Sequence, residues 1–325
     1  MIQKIILSRE EKKLLHSKVI QFWQLDDLTI ANYQKINQTI KLPITLTETM
    51  MLHYENMHAL GDLLKKLVFK GGTAVQHYIN STLQRGSVDL DFNTSIGHPS
   101  VLLEAVKNLN KELEDKENIL TISGIEFGKF LFEHEDTNSG TLTFTRIVPT
   151  KLNEFIKIGE KVIQGKKTKI QINYKHSWLP GIEIRKEKIN LFPNEIVKPI
   201  KSVTVPIESP GDLIADKILT LTQLGDFGRE RLKDVYDLIN LGALQKEKGK
   251  FSIASQKLDT IAKAEGLQKN NIVTSALDHL DEMKTLTAQV IGFKSQVGFE
   301  GWEIIDNWEK YLDETIDLLE SELTK

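Results

Sequence analysis

Residues 70–92, KGGTAVQHYINSTLQRGSVDLDF, decide how the rest of this 325-residue chain is read. A short apolar run ends at Lys70 and a glycine pair. Helical spacing then returns from Thr73 to Leu83, and Ser87 to Phe92 alternates with period two. Strands seldom carry aspartate, and like charges side by side repel. Asp89 and Asp91 break both habits, because residues two apart in a strand leave the same face. A divalent cation between them removes the fault. Mg²⁺ is hard, prefers oxygen, and is typically held by one or two carboxylates plus substrate phosphates. A solvent-facing strand carrying D-x-D by chance is the plain alternative. Gly71 and Gly72 let a backbone approach a phosphate closely, and the free N–H groups at the following helix start favour an anion. A tight turn is the plain alternative there. The chain holds no G-x-x-x-x-G-K-S/T and no G-x-G-x-x-G, which disfavours a P-loop or a dinucleotide-binding fold.

Outward from this stretch the texture changes twice. Residues 8–65 read as helical, opened by Ser8 with Glu11 three residues on. Residues 100–116 predict a helix with Ser100 as its cap. From about 119 to 206 the pattern is of strands: ILTISGIEF, KFLFEHE, GTLTFTRIV, KTKIQINYK, KINLF and KSVTVPI. Helix returns at 210, with Ser209 as cap, Pro210 in the first position and Asp212 in the first turn. The end is helical, with Ile305, Trp308, Leu312, Ile316, Leu319 and Leu323 on one stripe. The expected architecture is α+β: a helical lead-in over 1–65, an α/β core over 66–207, and a helical region over 208–325.

Composition sets bounds. With 40% hydrophobic and 27% charged residues the chain can bury a sizeable core. It has no cysteine, which excludes disulfides, thiolate nucleophiles and cysteine zinc sites. The eight histidines form no H-E-x-x-H. No apolar run approaches the roughly 18 residues that span a bilayer, so the expectation is a soluble, cytoplasmic protein. The net charge is only -3, yet between Lys151 and Lys201 12 Lys and Arg face 5 Glu. That basic surplus suits either a solvated face or a phosphate-rich partner.

Four segments in order, KGGTAV, QRGSVDLDF, DLIADKILTL and RLKDVYDL, resemble the AbiEii/AbiGii-type toxins. These are nucleotidyltransferase-like proteins related to the MenT toxins and to the polymerase-β-like superfamily. The resemblance covers roughly residues 65–243 and implies a nucleotidyltransferase core with a mixed sheet and flanking helices. It implies transfer of NMP from an NTP, as co-substrate, to an acceptor such as the tRNA 3' end; a kinase-like phosphotransferase on the same fold and a catalytically weakened nucleotide-binding module are the alternatives. It also implies Mg²⁺ (or Mn²⁺) as cofactor and a cognate antitoxin as partner. By match to the family pattern, Asp89 and Asp91 hold the metal, and Lys70, Gly71, Gly72 and Thr73 form the phosphate-cradling turn. Arg85 and Ser87 complete the nucleotide side; Ser87 shares the aspartates' face by parity. Lys217 neutralises the triphosphate, and Asp234 orients Lys217 or activates the attacking hydroxyl. Asp237, one turn on, is expected to be structural, paired with Lys233 at i,i+4.

Two departures stand out. Polymerase-β-like enzymes generally carry a third carboxylate on a neighbouring strand, and the matching strand here, KTKIQINYK, offers only the neutral Gln171 and Asn173. Lys233 stands where the family often has arginine, which gives up a bidentate fork; Arg229 or Arg231 is the available substitute.

Overall fold

The computed structural model describes residues 2–20, 30–79, 82–152, 154–175, 184–189, 191, 203–222, 231–249, 251–264, 266 and 268–323. A short strand β1 (Gln3–Ile5) precedes helix α1 (Arg9–Lys18). Ser8 caps α1 through a reciprocal box: its hydroxyl accepts from the Glu11 N–H and the Glu11 carboxylate accepts from the Ser8 N–H. Helices α2 (Ile30–Ile40) and α3 (Ile44–Ala59) follow. Residues 47–57 of α3 are buried on every side, which makes it an internal helix rather than a surface one.

Next come β2 (Leu67–Lys70), α4 (Gly71–Tyr78), β3 (Asp89–Thr94) and α5 (Pro99–Asp115). The cap of α5 is His98, whose ring accepts from the Ser100 N–H, and not Ser100 itself. Proline at the first helical position fixes the start one residue earlier than the hydroxyl suggests. The segment ILTISGIEF is two strands, β4 (Leu120–Ile122) and β5 (Ile125–Phe127), paired antiparallel. Ser123 and Gly124 join them at φ 53° and 74°, the positive values a tight hairpin needs. Strands β6 (Phe130–Asp136) and β7 (Thr141–Val148) fall where expected. The hairpin of β8 (Phe155–Ile158) and β9 (Lys161–Gln164), which the sequence reading left out, pairs with β1 in a three-stranded sheet. Then come β10 (Lys166–Asn173), β11 (Ile184–Lys188) and β12 (Thr204–Glu208). Strand β11 lies four residues before the expected KINLF.

Seven strands form the central sheet in the order β11-β12-β2-β3-β10-β7-β6. It is mixed: β3 runs antiparallel to β2 and parallel to β10. Leu90 and Phe92 point into the core, where Phe92 packs on Phe69 with ring centroids 5.5 Å apart. Period two therefore sends Asp89 and Asp91 to the other face, and a one-residue slip would bury the charges and expose the rings.

The chain continues as α6 (Pro210–Thr222), α7 (Leu232–Glu247), α8 (Ser255–Ala264), α9 (Lys269–Met283), α10 (Thr287–Phe293), α11 (Gly301–Asp306) and α12 (Trp308–Leu323). Ser209 caps α6 as expected, accepting from the Asp212 N–H. In the tail, Ile305, Trp308, Leu312 and Leu319 are buried, and the Trp308 indole donates to the Met283 carbonyl at 3.2 Å. Trp302 is exposed beside Lys294. No helix among the described residues is long and apolar enough to cross a membrane. The observed class is α+β, a mixed sheet flanked by helices.

Candidate active site

A cleft of about 830 Å³ opens over the polar face of β3. Its floor is the aspartate pair. In register, Asp91 lies opposite Lys70 on β2 and Gln171 on β10, and Asp89 lies opposite Lys169. Among the described residues the nearest cation to the pair is Lys169, whose Nζ stands 3.9 Å from Asp89 Oδ2. Burial raises the pKa of Asp89. Burial and then the charge of Asp89 push Asp91 up to about 6, against the pull of Lys70, Lys217 and Lys169. Two half-buried carboxylates thus sit together, and among the described residues no cation comes closer than 3.9 Å.

Helix α4 begins at the rim of this floor. Gly71 has φ +73°, and a Cβ there would lie 2.3 Å from Asp91 Oδ2. Only glycine meets both demands, the left-handed backbone and the close carboxylate. The side chain of Thr73 is wholly buried. Its Oγ1 is 2.6 Å from the Asp89 carbonyl oxygen and 2.6 Å from Ser87 Oγ. A carbonyl can only accept, so the threonine proton goes there, and Ser87 is left to donate to Thr73 or outward. Thr73 fastens α4 to β3; the cleft wall itself takes Lys70, Gly71, Gly72, Arg85 and Ser87. Below Ser87, His53 of α3 lies with Nε2 3.1 Å from the Ser87 carbonyl oxygen. Burial lowers His53 to about 4, so the ring is neutral and its Nε2–H donates.

The opposite wall comes from α6 and α7. Lys217 Nζ is 2.6 Å from Asp234 Oδ1 and 2.8 Å from Asp237 Oδ2. Arg85 grips Asp237 bidentately with one edge, Nε to Oδ1 at 2.8 Å and Nη2 to Oδ2 at 2.6 Å, while its Nη1 donates to the Gly86 carbonyl at 3.1 Å. Arg231 Nη1 reaches Asp234 Oδ2 at 3.1 Å. Burial works against the charge on Lys217, yet Asp237 and Asp234 outweigh it and raise its pKa. Asp234 is shifted the other way: burial opposes, and Lys217 with Arg85 and Arg231 holds it below the usual carboxylate range. Asp237 pairs with Arg85 and Lys217 rather than with Lys233, the partner expected. It lies inward, fully buried, where the i,i+4 rule for exposed helix faces does not apply. Of the two arginines offered as substitutes for Lys233, Arg231 lines the cleft, and Arg229 lies outside the described residues.

The two neutral residues of β10 part company. Asn173 donates to the Ser139 carbonyl and accepts from the Lys175 N–H, so its amide is engaged. Gln171 lies directly beside Asp91 and lines the cleft. Among the described residues no group of three or more carboxylate or imidazole side chains is placed to hold a metal.

Sequence reading missed a second group on the cleft wall. Lys257 of α8 is almost fully buried and lies 2.9 Å from Glu208 Oε2 and 2.8 Å from Asp216 Oδ1. Asn93 donates to Glu208 at 2.7 Å. Burial, with Asp216 nearby, pushes Glu208 up to about 7; burial also opposes the charge on Asp216, but Lys257 draws it down to about 2. Only Asp216, adjacent to Lys217 in sequence, carried any signal, because Lys257 follows no motif.

The loop bearing Arg85 and Ser87 is tied to the tail mainly by main chain, with one side-chain bond from the Thr82 hydroxyl to the Glu300 carboxylate. The Gly86 N–H donates to the Gln296 carbonyl at 2.9 Å and the Gly298 N–H to the Gln84 carbonyl at 2.7 Å. Arg85 and Val297 form an isolated antiparallel bridge between them.

A cleft with paired carboxylates, a helix N-terminus and several cations is the setting of phosphate-group transfer. The family model for the nucleotidyl transferase AbiEii toxin of Type IV toxin–antitoxin systems matches residues 58–314. The chain belongs to this family of toxin nucleotidyltransferases. A provisionally assigned nucleotidyltransferase from H. pylori is similar in structure at 19% identity and TM-score 0.46, over 84% of this chain and 96% of that one. The nucleotidyltransferase toxin MenT4 from Mycobacterium tuberculosis H37Rv is similar at 14% identity and TM-score 0.38, over 71% of this chain and 64% of that one. No curated protein matches the sequence. The assignment rests on the family match.

Proposed function

We propose that the chain transfers NMP from an NTP to a hydroxyl of an RNA acceptor, with the tRNA 3' end as the leading candidate. It acts in the cytoplasm, uses Mg²⁺ (or Mn²⁺), and is restrained by a cognate antitoxin. The working units are a lead-in over 1–65, the transferase core over 66–207 and a helical region over 208–325. The observation that carries this reading is the aspartate pair set against Gly71 at the start of α4, with no counter-ion closer than 3.9 Å among the described residues. Asp91 is pushed up to about 6 by burial and by Asp89, the strain a hard divalent cation relieves. Asp89 and Asp91 would hold that cation, with the Gln171 amide oxygen as the adjacent neutral donor. Bound there, it supplies charge neutralisation at the phosphates.

The chain's own groups supply the rest. N–H groups at the start of α4, from Gly71 and Gly72, donate to phosphate oxygens, and Lys70 adds a positive charge at the rim. Asp234 stays ionised and orients Lys217, leaving one Lys217 N–H for the ligand. The acceptor oxygen attacks the α-phosphorus, the bond to pyrophosphate breaks, and the hydroxyl proton leaves to solvent. Positioning and electrostatics make up most of such catalysis. The test is incubation with α-labelled NTPs, Mg²⁺ and total tRNA. The expected result is label in RNA, no transfer from γ-labelled NTP, and loss of transfer in Asp89→Ala. Absence of transfer from every NTP, or an Asp89→Ala variant as active as the native chain, overturns the reading.

A further inference from the structure

The cations around the aspartate pair differ in what already holds them. Arg85 is engaged by Asp237 on one edge and by the Gly86 carbonyl at Nη1, and two of the three Lys217 donors go to Asp234 and Asp237. Arg231 is bound to Asp234, and Lys257 to Glu208 and Asp216. Lys233 is different. It lines the cleft on the first turn of α7, yet among the described residues it has no ion-pair or hydrogen-bond partner. Its natural neighbour at i,i+4, Asp237, is turned inward to Arg85 and Lys217.

Holding Lys233 there opposes its charge. Burial and then the Arg85 guanidinium lower its pKa, offset in part by Asp89, Asp237 and Asp234. A half-buried ammonium next to a guanidinium, without an acceptor, costs stability unless a ligand anion completes it. The anion it faces is fixed by its surroundings. Lys233 feels the charge of Asp89, and Lys70 feels that of Asp91, so the two uncommitted ammoniums bracket the pair at which phosphates gather.

We infer that Lys233 binds phosphate oxygens of the incoming nucleotide beside Asp89, as an unpaired cation next to a Lys217 whose donors are mostly committed. The inference rests on the NTP reading of the cleft and adds a binding residue to it. An ammonium is a rotatable point charge that serves one oxygen at a time, and arginine in its place keeps the charge and spreads it over a fork. Rescue by arginine therefore reports phosphate binding, while a purely structural contact would not follow charge.

The full-length chain is titrated calorimetrically with inorganic triphosphate in Mg²⁺, alongside label transfer from NTP. Lys233→Gln keeps most of the stem and removes the charge. Its dissociation constant for triphosphate rises about tenfold or more, and the KM for NTP rises with it while kcat stays within about threefold. Lys233→Arg restores binding to within about threefold of the native chain. Native affinity for triphosphate in Lys233→Gln overturns the inference, as does failure of Lys233→Arg to restore binding in a variant that unfolds at the native urea midpoint. A native chain that transfers label from NTP while Lys233→Gln is unaltered removes this residue and leaves the function standing. A native chain that binds neither triphosphate nor any NTP removes both, and the native titration tells the two cases apart.

Discussion

Two groups of charges face each other across the cleft, and they follow opposite rules. On α6 and α7 opposite signs alternate: Asp237 serves Arg85 and Lys217, and Asp234 serves Lys217 and Arg231. On β3 two like charges stand side by side, with the closest cation among the described residues 3.9 Å away. The first group is finished within the protein and holds the wall in place. The second is left unfinished on the floor of the cleft. Buried networks that are fully satisfied rigidify a structure, and sites that keep an unmet charge give up stability for binding.

Breaking the finished group has the largest expected effect on stability. Asp237→Ala strands Arg85 and Lys217 with one carboxylate between them and costs about 3–5 kcal/mol, read as a fall in the urea midpoint. Breaking the unfinished group inverts the outcome. Asp91→Asn reduces transfer on the order of 10³-fold, yet it removes a like-charge contact and raises stability by about 1 kcal/mol. A destabilised Asp91→Asn variant would end the contrast between the groups. Gly71→Ala tests the seam between floor and helix. Its Cβ would meet Asp91 and its φ of +73° is strained, so it costs about 1–3 kcal/mol and lowers transfer together with stability.

The smallest effect concerns groups that avoid charge altogether. Burial lowers His16 to about 3 and His53 to about 4, both below the value of about 6.5 in an unfolded chain. A depressed histidine takes its proton on unfolding, so its stability is fully present above pH 6.5 and is lost as the pH falls. Each contributes a slope of up to about 1.4 kcal/mol per pH unit between pH 6.5 and its folded value. Glu208, pushed up to about 7, gives an opposing slope over the same window. Urea midpoints from pH 7 to 5 for the native chain and His16→Leu isolate one histidine, and the variant loses part of the acid sensitivity.

The floor of this site was legible because it is local. Asp89, Asp91, Gly71 and Gly72 lie within 21 residues, and period two alone fixes which face the carboxylates share. Gln171 was legible as well, since a strand beside β3 has to bring an alternate residue next to Asp91. What stayed hidden depends on distance in sequence. The grip of Arg85 on Asp237 joins residues 152 apart, and helical spacing pointed Asp237 to Lys233 instead. Lys257 joins the wall from a helix without any motif, through a burial that no short window reveals. The hairpin of β8 and β9 was passed over because its strands are only four residues long and partly exposed.

The main-chain seam between the Arg85 loop and residues 296–298 sets how this protein can diverge. Peptide groups pair whatever side chains they carry, so the exposed tail residues other than Glu300, which accepts from Thr82, can change without loosening the loop beneath them. Spacing is another matter. An inserted or deleted residue near 297 would shift the register of the seam and carry Arg85 away from Asp237. Gly298 is the one fixed letter in that stretch, since a Cβ there would lie 2.2 Å from the Thr82 carbonyl oxygen. Relatives that keep this architecture are therefore expected to vary widely in the tail while conserving its length around a single glycine.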